Sequence, residues 1–118
     1  MNIKQSKAIA NIFELPFQLP FEELFEPLLS TKDLLIERII STGQTTPSGE
    51  WYDQERDEWV ILLQGEAQLT YETGATYKLI PGGYLLIPAH QRHRVDYTSS
   101  NPPCIWLAIH GHLSPSAN

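Results

Sequence analysis

The sequence predicts an all-β domain, a sandwich or barrel of short antiparallel strands. Two observations carry that expectation. From Asp33 onward apolar residues recur with a period of two, which places alternate side chains on one face of a strand. The apolar runs are short and are cut by Gly- and Pro-containing turns at intervals of about 8–12 residues, the rhythm of such folds. After residue 30 no long helical pattern appears.

The elements follow in chain order. Residues 1–19 read as an arm, in which Ile12, Phe13, Leu15, Phe17 and Leu19 are apolar while Pro16 and Pro20 forbid a continuous helix. An extended apolar arm must cover either its own barrel or a neighbouring subunit. Pro20 to Leu29 predicts a short amphipathic helix: a proline in the first turn, Glu22 and Glu23 near the start, and Phe21, Leu24, Phe25 and Leu28 at helical spacing, with Pro27 weakening its second half. Leu34 to Ile40 is a strand in which Arg38 sits among apolar neighbours. An arginine there needs an acidic partner or an anionic ligand. Ser41 to Gly49 is a loop. Strands are expected at 59–63, 66–71, 75–80, 84–87, 94–97 and 104–110, separated by Gln64-Gly65, Glu72-Thr73-Gly74, Pro81-Gly82-Gly83, the loop from Pro88 to Arg92, and the loop from Thr98 to Pro103. The domain plan is therefore an arm and short helix over 1–32, a barrel over 33–112 and a frayed tail over 113–118.

Composition narrows the function. The chain has 118 residues, 42% hydrophobic and 19% charged, as one globular domain should. Fourteen acids against eight bases give a net charge of −6, and the bases are scattered, which disfavours nucleic acid and anionic membranes. Cys104 is alone and flanked by an apolar run, so it reads as a buried strand thiol. Met1 to Ala10 lacks the apolar segment of a secretory signal, which makes the cytoplasm the expected location. No phosphate-cradling glycine loop, nucleophile elbow or paired cysteine motif is present, so no nucleotide cofactor is expected.

The segment from Trp51 to His93 carries the strongest pattern. Glu58 is followed after six intervening residues by Gly65, and Gly82 is followed after five intervening residues by Pro88 and then by His93. In these positions the chain resembles the cupins, small jelly-roll barrels with two metal-binding motifs. The resemblance covers roughly residues 33–110 and implies a double-stranded β-helix. It also has departures. The two histidines of the first motif fall on Trp51 and Asp53, the glycine of the second falls on His90, and its final asparagine falls on Tyr97.

The resemblance implies a divalent metal (Zn, Fe, Mn or Ni) held by Asp53, Glu58 and His93, with Gln54 and His90 as further ligands, because a carboxylate still coordinates where the histidine is lost. Trp51, Tyr97 and Arg38 are then candidates to line a small-molecule pocket, and Glu58 and His93 are the catalytic candidates. Three functions stay open. One is metal-assisted dioxygenation, isomerisation or decarboxylation of a small polar molecule. Another is metal-free ligand binding or sensing. The third is metal-independent acid–base isomerisation or epimerisation by His93 and Glu58. The apolar arm together with an edge strand predicts a homodimer.

Overall fold

A computed structural model describes residues 9–113 of the chain. It contains eight strands: β1 (Leu24–Ser30), β2 (Leu34–Ser41), β3 (Asp57–Gln64), β4 (Ala67–Tyr71), β5 (Thr76–Leu79), β6 (Tyr84–Ile87), β7 (His93–Thr98) and β8 (Cys104–Gly111). They form a five-stranded antiparallel sheet in the order β1-β2-β8-β3-β6 and a three-stranded sheet in the order β5-β4-β7. This is the jelly roll expected from the strand pattern, and β2 to β8 fall where the period-two runs place them. Residues 114–118, most of the segment expected as a tail, and the first eight residues of the expected arm lie outside the described residues.

The expected helix at Pro20 to Leu29 is not formed. Residues 24–30 instead make β1, an edge strand. Pro27 explains the outcome. Within a helix it would remove a hydrogen bond and clash with the preceding turn. At a sheet edge its missing N–H has no ladder position to fill, and a register shift between Pro27 and Leu29 takes up the remaining irregularity.

The arm is tied to the sheet by Arg38. Its guanidinium donates from Nε to Glu26 at 2.6 Å and from Nη1 to the carbonyls of Ile12 (3.0 Å) and Glu14 (2.6 Å). Glu26 and Arg38 are direct cross-strand partners, so this acidic partner comes from the strand that replaces the expected helix. The arm keeps Phe13, Phe17 and Phe21 exposed.

The core lies between the two sheets. Val60, Leu62, Leu69, Ile87, Trp106 and Ala108 are buried there together with Cys104. The Cys104 thiol donates to the Glu66 carbonyl at 3.2 Å, so it is a packed strand residue. Beside it Gly65 adopts φ +89°, and a Cβ there would stand 2.7 Å from Ser99 Oγ and 2.9 Å from Cys104 Cα. Glycine is required at this turn both by its left-handed backbone and by that contact. No helix among the described residues is long and apolar enough to cross a membrane.

Candidate functional site

Alternation along the strands directs two kinds of side chain into the space between the sheets. On β2 the odd-numbered residues face in, and on β3 and β8 the even-numbered ones do, as the pairings Ile39↔Trp106, Leu62↔Trp106 and Glu58↔His110 require. The result is a cavity of about 70 Å³. Its floor is apolar, made by Ile39, Val60, Leu69, Ile87 and Trp106. Its other end is polar, made by Glu23, Glu37, Glu58, His93 and His110, with Tyr52 and Gln54 beside them.

His93 is 4% exposed. Its Nδ1 lies 2.8 Å from the carbonyl oxygen of Gln91. A carbonyl only accepts, so Nδ1 carries the proton and Nε2 is left as a bare lone pair. That Nε2 points towards Glu58 Oε1 at 3.9 Å, too far for a hydrogen bond. Tyr52 stacks on the imidazole with ring centroids 5.5 Å apart and fixes its plane. Burial holds the His93 pKa below the ordinary histidine value, and the Gln91 bond only partly offsets this.

Glu58 has the opposite displacement. Burial pushes its carboxyl above the ordinary carboxylate range; His110 pulls it back in part, and the charge on Glu37 pushes it further up. Among the described residues no hydrogen bond holds its carboxyl group. Burial thus shifts both of these facing groups in the direction of their neutral forms, the imidazole towards a proton acceptor and the carboxyl towards a proton donor.

A second pair closes the polar end. His110 Nε2 and Glu37 Oε2 are 2.8 Å apart and both buried. The Glu37 bond raises the His110 pKa against the opposing effect of burial. Glu23 accepts a hydrogen bond from Ser41 Oγ, and burial raises its pKa.

The residues expected from the sequence divide between this cavity and its rim. Glu58, His93 and Gln54 line the cavity. Trp51, Asp53, His90, Arg38 and Tyr97 do not. The phase of one short segment accounts for Trp51 and Asp53. Tyr52 and His93 form an isolated antiparallel bridge, with N–H to carbonyl distances of 2.7 and 3.1 Å in the two directions. Tyr52 and Gln54 therefore face inward, and the residues on either side of Tyr52 face out, as a shift of one residue along a strand requires.

Trp51 consequently packs under the Arg94 guanidinium, 5.2 Å from its ring centroid. Asp53 pairs with His90 Nδ1 at 2.9 Å, with both side chains about half exposed or more. His90 holds a left-handed φ of 64° at the position where the family motif has glycine, and its N–H donates to the Gln54 carbonyl at 2.7 Å. Arg38 is committed to the arm, and Tyr97 is exposed.

The donors named for a divalent metal do not converge. Glu58 and His93 share the cavity, but Asp53 and His90 satisfy each other outside it. Among the described residues no group of three or more His, Cys, Asp or Glu side chains is disposed to hold a metal ion. The donor set does not fit the group implied by the resemblance.

Sequence reasoning did not single out Glu23, Glu37, Tyr52, Trp106 or His110 as site residues. Glu37 was accessible to it, being an acid on the same face of β2 as Leu35 and Ile39. His110 was obscured by its position near a strand end, beside a second histidine two residues on.

Comparison with known proteins agrees with the architecture. The family model for the cupin domain matches residues 39–110. A crystal structure from Ralstonia eutropha JMP134, of a protein named provisionally as a mannose-6-phosphate isomerase, is 45% identical, covers 88% of this chain and 97% of its own, and superposes with a TM-score of 0.82. The TT1209 structure from Thermus thermophilus is 21% identical, with coverage of 88% and 96% and a TM-score of 0.71. Among curated proteins, the RCS-specific HTH-type transcriptional activator RclR of Escherichia coli K12 is 36% identical over 47 residues, which is 40% of this chain but only 16% of that protein.

Proposed function

We propose that this chain, which belongs to the cupin family, is a small-molecule isomerase that moves a proton between adjacent carbons of a hydroxy-carbonyl compound without a metal. One observation carries the reading: His93 Nε2 and the Glu58 carboxyl face each other across 3.9 Å in a mostly apolar cavity, with pKa values displaced in opposite directions.

The chemistry follows from those two groups. His93 Nε2 takes a proton from the carbon beside a carbonyl as that C–H bond breaks. The electron pair moves to the carbonyl, whose oxygen receives the Glu58 proton, giving an enediol. Return of a proton to the neighbouring carbon and withdrawal of one from the other oxygen regenerate both groups and complete the exchange. Tyr52 orients the imidazole, and the Gln91 carbonyl fixes its tautomer. The name of the Ralstonia protein, similar over nearly the whole of both chains, supports isomerase chemistry on a sugar skeleton, although that name specifies a phosphorylated sugar.

The test is deuterium uptake from heavy water into a panel of aldoses and ketoses, followed by mass spectrometry. Uptake should survive chelator and fall about 100-fold or more in His93→Asn and in Glu58→Gln. Uptake lost on chelation, or retained in both variants, would refute the proposal.

A second reading has one observation in its favour. The similarity to a segment of RclR supports a ligand-sensing barrel that uses the same cavity without turnover. Saturable binding of a compound that shows no deuterium uptake would favour it.

A further inference from the structure

We infer that the cavity selects compact, uncharged hydroxy-carbonyl compounds and excludes their phosphorylated and carboxylated counterparts; this rests on the proposed use of the same cavity. The walls carry three carboxyl groups, from Glu23, Glu37 and Glu58, and among the described residues no lysine or arginine lines them.

The nearby cations are committed or lie outside. The Arg38 guanidinium is held by Glu26 and by the arm carbonyls. Arg94 binds Asp96 at 2.8 Å and lies over Trp51 on the outward side. Arg56 lines an outer depression that meets the cavity only at Glu37, Gln54 and His110. At the polar end His110 is engaged at 2.8 Å by Glu37, so any charge it carries is already matched. An entering anion would therefore lose its water among walls that carry no lysine or arginine, the nearest arginine not paired elsewhere, Arg56, lying in the outer depression, and that loss would be uncompensated inside the cavity.

Two further observations define what does fit. His93 is almost fully buried and its Nε2 has no hydrogen-bond partner among the described residues, so the site holds an acceptor aimed at a ligand. The same walls carry hydrocarbon from Val60, Leu69 and Ile87, with Ile87 the cross-strand partner of Glu58. A ligand with hydroxyl and carbonyl oxygens as well as C–H surface satisfies both kinds of lining.

The probes are dihydroxyacetone with its phosphate, and a ketohexose with its terminal phosphate, titrated into protein labelled with ¹⁵N-histidine and followed at the His93 ring signals by NMR. The uncharged member of at least one pair should bind saturably and at least tenfold more tightly than its phosphate. In Glu37→Gln, which leaves His110 without its counter-charge, that gap should narrow by at least threefold. Equal or tighter binding of the phosphates by the native protein would overturn the inference, and so would binding of none of the four. Binding is read independently of turnover. An uncharged ligand that binds without deuterium uptake defeats the isomerase proposal and leaves the selectivity standing, whereas turnover of a phosphate does the reverse.

Discussion

Two acid–histidine pairs lie at the same end of this barrel, and they differ in almost every physical respect. Glu58 and His93 are buried, 3.9 Å apart and not hydrogen-bonded to each other. Asp53 and His90 are exposed and hydrogen-bonded at 2.9 Å. In the sequence the two pairs look equivalent, since all four residues fall on the motif positions of a metal site. In three dimensions the rim pair satisfies itself in water, where an exposed ion pair contributes about 0–1 kcal/mol. The inner pair is buried and its two groups are too far apart to hydrogen-bond to each other, so burial displaces both towards neutrality. Burial and the lack of a direct hydrogen bond, more than residue type, separate the inner pair from the rim pair.

The largest expected effect exploits that contrast. His93→Asn and Glu58→Gln should each lower deuterium uptake about 100-fold or more, while Asp53→Asn and His90→Gln should leave it within about twofold, since an exposed pair contributes so little. A comparable loss from the rim variants would erase the distinction. Next in size is Arg38→Ala, assessed by urea denaturation. It leaves Glu26 and two arm carbonyls without their donor and should cost about 2–3 kcal/mol. A cost below about 0.5 kcal/mol would mean that the arm is held by other contacts.

The Glu37–His110 pair predicts a direction with pH. The folded-state pKa of His110 is raised, mainly by Glu37, so the stability it contributes is complete below the unfolded value of 6.5 and is lost as pH rises through the folded value. Chemical denaturation from pH 6 upward should show a decline that shrinks in Glu37→Gln, and an unchanged pH slope in that variant would contradict the pairing. The smallest effects belong to the rim. Trp51→Ala, which removes the surface under Arg94, should cost about 0.5–1 kcal/mol by thermal or urea melts. His90→Gly relieves a left-handed φ while losing an exposed pair, so its stability should stay within about 1 kcal/mol of the native protein. Losses above about 2 kcal/mol from either would show that the rim is structural.

The fold was largely legible because its signals are local. Period-two runs and Gly/Pro turns located β2 to β8, and Gly65 and Gly82 kept the motif frame. β1 reads as a helix because Phe21, Leu24, Phe25 and Leu28 satisfy helical spacing, whereas Pro27 together with the tertiary pairing Glu26↔Arg38 decides for a strand. The site was half legible. Spacing found Glu58 and His93, but the inward phase at Trp51–Gln54 is set by one bridge between Tyr52 and His93, a long-range pairing that no local pattern announces. Glu37 and His110 lie 73 residues apart in the chain and meet only through sheet registry.

The proposed chemistry turns on one proton. Long-range ¹H–¹⁵N correlation spectra of ¹⁵N-histidine-labelled protein, recorded across pH, report the tautomer and the pKa of His93 together. The expected result is a neutral ring protonated on Nδ1, with a pyridine-like Nε2, that titrates below the ordinary value of 6.5 while His110 titrates above it. A proton on Nε2 of the neutral ring, or a His93 pKa above that of His110, would contradict it.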